Sequence, residues 1–154
     1  MTVLDVACGS RMFWFDKADK RALFLDNRTV DNVCLGKRVI VEPDMIADFR
    51  NLPFPDNHFP LVVFDPPHLR WAGQTSMMRL KYGQLFESWE DDLRKGFAEC
   101  FRVLKPLGTL VFKWGGKQVH IDDVLALTPE KPLFGNRRGK TTYWMVFQKA
   151  EAHG

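Results

Sequence analysis

Apolar residues in this chain cluster in short runs separated by polar stretches and turn residues. The runs near residues 2–6, 21–25, 38–41, 61–64, 108–114, 123–127 and 141–148 are short and dominated by strand formers, and they read as strands. One stretch has a different period: Leu93, Phe97, Cys100, Phe101 and Leu104 recur three or four positions apart with polar residues between them, which predicts a helix over 90–104. Pro106-Leu107-Gly108 then stops that helix. Phe13 to Lys20 is short for a full helix between the first two strands. Strands alternating with crossovers predict an α/β fold with a largely parallel sheet covered on both faces. No linker, low-complexity tract or repeat divides residues 1–154, so one domain is expected.

Composition narrows the class. With 154 residues and 45% hydrophobic content, the chain can bury a sizeable core. No run approaches the roughly 18 apolar residues of a membrane span, and the N-terminus enters a strand without the features of a signal peptide, so a soluble, cytoplasmic protein is expected. Cys8, Cys34 and Cys100 are odd in number and widely spaced, which argues against a disulfide framework or a zinc ribbon. Cys8 suits a tight loop and Cys100 the core. His58, His120 and His153 lack metal-ligand spacing, and His120 precedes a helix start; no metal is expected. A net charge of +3, from 22 basic and 19 acidic residues, permits nucleic-acid binding without requiring it.

The most informative chemistry follows the fourth run. Leu61-Val62-Val63-Phe64 delivers Asp65 onto a turn that Pro66 and Pro67 stiffen and strip of N–H donors, with His68 next. The turn presents acceptors, the Asp65 carboxylate and the Pro66 carbonyl, and suits a group rich in N–H donors such as the exocyclic amine of a nucleobase. A buried strand followed by a structural turn fits this segment equally well. A second candidate is Asp5-Val6-Ala7-Cys8-Gly9-Ser10, a strand end followed by small residues that let backbone turn tightly against a ligand. Asp26 lies 21 positions after Asp5 (26 minus 5), the spacing of an acid placed to hold ribose hydroxyls. Asp48, followed by Phe49, reads by itself as a helix N-cap. Arg70, Trp71, Arg79, Lys81 and Tyr82 mix cations with aromatics directly after the Asp65 turn, as a target-binding lid would, or as an ordinary solvated loop would. A second basic turn runs from Gly135 to Lys140.

Asp65-Pro66-Pro67-His68 resembles the Asp/Asn-Pro-Pro-aromatic motif of class I amino-methyltransferases, which modify adenine N6 and less often cytosine N4; His68 replaces the aromatic residue. Asp5, Ala7 and Gly9 fall in register with that superfamily's Asp/Glu-x-Gly-x-Gly-x-Gly loop, with Arg11 at the third glycine. Phe101 to Leu110 resembles its R-V-L-K-P-G-G signature, with Leu107 at the first of the two glycines. Cys8 to Asp16, Asp65 to His68 and Lys140 to Lys149 also resemble small methyltransferases of bacteriophages and prophages.

The resemblance implies a Rossmann-like sheet of seven strands in the order 3-2-1-4-5-7-6, the seventh antiparallel, with helices on both faces. It implies S-adenosyl-L-methionine as cofactor, held by Asp5, Ala7, Cys8, Gly9, Ser10 and Asp26, with Asp48 accepting from the cofactor's adenine amine and Phe49 packing on that ring. Arg11 either meets the methionine carboxylate of the cofactor or forms a surface salt bridge. Asp65, Pro66, Pro67 and His68 are the expected catalytic turn. His68 stacks on an extruded base, hydrogen-bonds it, or caps the next turn. The expected partner is nucleic acid, DNA ahead of RNA, in a bacterial or phage-infected cell. Only about 55 residues separate Gly9 from Asp65 and about 40 follow Trp114, too few for a separate recognition domain, so loops or a partner chain would set specificity. A small-molecule methyltransferase and a methyltransferase-like subunit without turnover are the alternatives.

Overall fold

The computed structural model describes residues 1–68, 87–136 and 141–152. Its elements in chain order are β1 (Val3–Asp5), β2 (Ala22–Asp26), β3 (Val30–Cys34), β4 (Lys37–Val41), β5 (Met45–Ile46), β6 (Phe59–Phe64), α1 (Trp89–Val103), β7 (Leu104–Gly115), α2 (Ile121–Leu125), β8 (Phe134–Gly135) and β9 (Thr142–Gln148). Seven strands form one sheet in the order β5-β2-β1-β6-β7-β9-β8. The five strands from β5 to β7 run parallel, and β9 is antiparallel to both β7 and β8. Counted along the chain within this sheet, that is the expected 3-2-1-4-5-7-6 order with an antiparallel seventh strand.

Register explains which side chains form the core. Leu4 sits opposite Leu23 and Val62, Val62 opposite Leu110, and Leu110 opposite Phe147, so one sheet face carries an unbroken apolar row. Leu93, Phe97 and Cys100 of α1 pack on this face, and Ile121 and Val124 of α2 join the same core. Gly96 lets α1 come close: a Cβ there would lie 2.7 Å from Phe64 Cζ. Strand alternation turns Val3, Leu61, Thr109, Val111 and Val146 to the opposite face, where they are only half-buried. Glu90, Asp91 and Asp92 fill the first turn of α1, where acidic side chains favour the helix dipole.

Three local expectations change. The apolar run at 123–127 is not a strand: α2 covers most of it, because His120 caps the helix by accepting from the Asp122 N–H at 3.1 Å and Asp122 and Asp123 occupy its first turn. The run at 38–41 is a strand but not a member of the main sheet. It pairs with β3 as a two-stranded hairpin turned at Leu35 (φ 51°) and Gly36 (φ 76°), and the two-residue β5 takes the sheet edge instead. The crossovers from β1 to β2 and from β2 to β5 contain no helix. A smaller cluster of Cys8, Ala22 and Phe24, with Val3 and Trp14 against it, covers the sheet there, so the two described helices share the other face. Among the described residues no helix is long and apolar enough to cross a membrane.

Candidate active site

Three buried carboxylates gather where the parallel strands end. Asp5 closes β1, Asp26 closes β2 and Asp65 follows β6. The parallel register sets Asp5 opposite Phe24 and Val63, two residues before Asp26 and Asp65, so all three acids fall on one side of neighbouring strand ends. Asp5 accepts from Trp14 Nε1 at 2.8 Å and from the Ala7 N–H at 3.3 Å. Burial still pushes its pKa up to about 7, and the neighbouring Asp65 and Asp26 add to the rise. Asp26 accepts from the Gly9 N–H at 2.9 Å and lies 3.7 Å from the Arg28 guanidinium, with its pKa raised by burial.

The loop after β1 is tied down on both sides. The Cys8 N–H donates to the Leu25 carbonyl at 2.7 Å, and Gly9 takes φ 50°. The Cys8 thiol is pushed up to about 12, chiefly by burial, which makes it a packing residue. Arg11 also adopts a left-handed φ of 58°. Its guanidinium lies 3.8 Å from the Phe24 ring centroid and donates to the Lys17 carbonyl and, at 2.7 Å, to that of Glu42. Arg11 therefore holds the loop against the sheet and the end of β4, with Asp44 at 3.8 Å. Next to Gly9, the buried hydroxyl oxygen of Ser10 has no hydrogen-bond partner among the described residues.

Asp65 is 7% exposed, and burial raises its pKa to about 7 against the opposing pull of Lys113, whose Nζ lies 3.7 Å away. Pro66 is buried and Pro67 half-buried. His68 lies edge-on to Trp114 at 6.2 Å and packs so closely on Gly115 that a Cβ there would meet its Cδ2 at 2.6 Å. Burial and Lys113 both lower its pKa, which favours a neutral imidazole. Asp48 and Phe49 follow β5 at the same end of the sheet, where the Ala47 N–H donates to the Asp26 carbonyl at 3.0 Å. The Asp48 carboxylate is bound by Arg50, which also reaches Asp92 at 3.2 Å, and Phe49 sits edge-on to Phe64 at 5.2 Å. Asp48, like Asp26, is thus already paired with an arginine side chain.

Asp5, Cys8, Gly9, Ser10, Asp26 and the Asp65 turn come together as the sequence suggested. Arg70, Trp71, Arg79, Lys81 and Tyr82 lie outside the described residues, as does most of the second basic turn. Four contributors are not among the site residues expected from the sequence. Trp14 binds Asp5, Lys113 faces Asp65, and Phe13 and Trp144 flank the Lys113 ammonium at 5.4 and 5.6 Å. Among the described residues no group of His, Cys, Asp or Glu is arranged to hold a metal.

No protein-family model and no curated protein sequence matches the chain. Solved structures do. The PH0226 protein from Pyrococcus horikoshii OT3 superposes with a TM-score of 0.64 at 16% identity, over 96% of this chain and 81% of that one. A TehB-like SAM-dependent methyltransferase from Corynebacterium glutamicum gives 0.59 at 16% identity, over 96% and 79%. A SAM-dependent methyltransferase from Methanosarcina mazei gives 0.55 at 13% identity, over 98% and 93%. The chain has the fold of the class I SAM-dependent methyltransferases. At these identities the likeness is one of architecture, and function has to be argued from the site.

Proposed function

We propose that this protein is a S-adenosyl-L-methionine-dependent methyltransferase that modifies an exocyclic nucleobase amine, adenine N6 foremost, in DNA ahead of RNA. The observation that carries the reading is Asp65: a carboxylate buried at the carboxyl end of β6, on a turn stiffened by two prolines, next to Asp5 at the end of β1. Ligands of open α/β sheets bind at this end, beside the strand where the order reverses, and here that strand is β1.

The residues of the cofactor loop fit the proposed group. Gly9 brings the backbone close, Ser10 offers an orphaned hydroxyl, and Asp5 and Asp26 bring carboxyl oxygens to the ends of β1 and β2. When bound, S-adenosylmethionine supplies an electrophilic methyl group. Asp65 and the Pro66 carbonyl accept hydrogen bonds from the acceptor amine, whose lone pair is otherwise delocalised into its ring. Those bonds strengthen as the amine nitrogen becomes cationic, so they favour the transition state over the ground state. Asp65, with a pKa near 7, is then suited to take the proton the methylated amine must lose and to release it to water. His68 presents a neutral ring beside this turn, in the place of the family's stacking residue.

The test is to incubate the protein with methyl-labelled S-adenosylmethionine and separate pools of unmethylated DNA and RNA, then identify methylated nucleosides by mass spectrometry. N6-methyladenine from the wild type and none from Asp65→Ala, with cofactor affinity retained in both, is the expected result. Turnover by Asp65→Ala at the wild-type rate would refute the role of Asp65. Cofactor binding without any methylated nucleoside would move the reading to a small-molecule acceptor or to an enzyme that needs a partner chain.

A further inference from the structure

Phe64 and Phe112 are register partners on the parallel strands β6 and β7, so the next residue on each, Asp65 and Lys113, emerge side by side on the same face. Their charged ends stand 3.7 Å apart, with the Lys113 side chain 18% exposed. Across the antiparallel pair Lys113 is the partner of Trp144. Phe13, from the loop after β1, meets Trp144 edge to face at 5.4 Å, and the ammonium lies within 5.6 Å of both rings. The result is a hydrogen-bond acceptor and a donor at short separation, beside two half-exposed aromatic rings.

We propose that Asp65 and Lys113 together read the edge of the acceptor base, the carboxylate accepting from its exocyclic amine and the ammonium donating to the ring nitrogen beside that amine. The inference rests on the methyltransferase reading above and narrows it. The acceptor must carry an amine on a carbon bonded to an unprotonated ring nitrogen, an arrangement adenine and cytosine share and simple alkyl or aryl amines lack. Lysine suits the task because an ammonium only donates, just as an ionised carboxylate only accepts. Phe13 and Trp144 form the apolar wall against which the base lies, which links the loop that binds Asp5 through Trp14 to the acceptor pocket.

The experiment compares methyl transfer to random-sequence single-stranded DNA in which adenine is intact or fully replaced by 1-deazaadenine, which lacks the ring nitrogen bonded to the amine-bearing carbon, or by 7-deazaadenine, which keeps it and lacks a nitrogen of the five-membered ring. For the wild type, 7-deazaadenine should be methylated as adenine is, and 1-deazaadenine should lower kcat/KM on the order of 10- to 100-fold, the usual weight of a hydrogen bond to a charged group. Lys113→Met should lose a similar factor on intact adenine and no longer distinguish it from that analogue, while Lys113→Arg keeps the distinction. A lysine that merely neutralised Asp65 would lower all three substrates alike, and that result overturns the inference. Equal wild-type rates on the three substrates overturn it too, without recourse to any variant. In either case the wild type still methylates adenine and the broader reading stands, whereas no methylated base from the wild type removes both.

Discussion

Replacing Asp65 with Asn should stabilise the protein at neutral and alkaline pH. Asp65 is buried, and its pKa rises from 3.8 to about 7 on folding, so the folded state holds its proton across a range in which the unfolded chain has released it. Below pH 3.8 the group costs nothing; between 3.8 and about 7 the folded state loses about 1.4 kcal/mol per pH unit relative to the unfolded chain; above 7 the loss is constant. Between pH 5 and pH 8 the wild type therefore gives up roughly 2 to 3 kcal/mol that Asp65→Asn retains. The charged groups beside Asp65 are Lys113 on β7 and Asp5 on β1. Lys113 already lowers the value, and its lost ion pair changes the offset between the proteins more than the slope. Asp5 is itself held up in part by the Asp65 charge, so removing that charge relaxes Asp5 and enlarges the difference. Urea unfolding of both proteins at pH 5, 6, 7 and 8 reads the effect directly as the change in midpoint at constant m-value. A stability difference that stayed the same at all four pH values would show that Asp65 ionises as in water, and the electrostatic account of the site would fall with it.

Two further substitutions test the geometry. Leu107 is half-exposed with φ 64°, so Leu107→Gly should remove about 1 to 2 kcal/mol of left-handed strain against 0.5 to 1 kcal/mol of glycine entropy, and raise the melting temperature by about 1 to 3 °C; a fall would mean that the leucine side chain contributes more than its exposure suggests. Gly115→Ala puts a Cβ 2.6 Å from the His68 ring, so kcat should fall roughly tenfold or more as the imidazole is displaced, while cofactor affinity measured at equilibrium is unchanged; a full kcat in that variant would remove His68 from the acceptor site.

The parts of the fold that were legible in the sequence are those fixed by local pattern. Leu93, Phe97 and Cys100 are spaced for a helix and form one, and the apolar runs before Asp5, Asp26 and Asp65 are parallel strands whose ends coincide. Val39 and Val41 gave an equally clear strand signal, but alternation says nothing about the partner, and the Leu35-Gly36 turn sends that strand back on β3 rather than into the main sheet. β5 has two residues, too few for any periodicity. Arg11 and Leu107 looked like losses of glycine from their motifs, yet both keep a left-handed backbone, so the loop conformation survives the change of residue at the expense of strain. For Arg11, the guanidinium contacts with Phe24 and Glu42 offset that strain. Lys113 was invisible for a different reason: it reads as an ordinary position in Thr109 to Trp114, and only the register between β6 and β7 brings it to Asp65.

The position of β1 also bears on how the chain acquires its structure. Val3 pairs on one side with Ala22 and on the other with Leu61, so the first strand of the sheet lies in its interior. During synthesis β1 and β2 are complete long before β6, α1 and β7 exist, and the apolar face of Leu4 and Leu25 has no helix to cover it until Leu93 and Phe97 have emerged. Cooperative folding therefore waits on the second half of the chain, and pairings across such sequence distances are slow to form. Truncation before β7 would leave a fragment with its three acidic strand ends in place and an exposed apolar face, a species for chaperones rather than for a substrate.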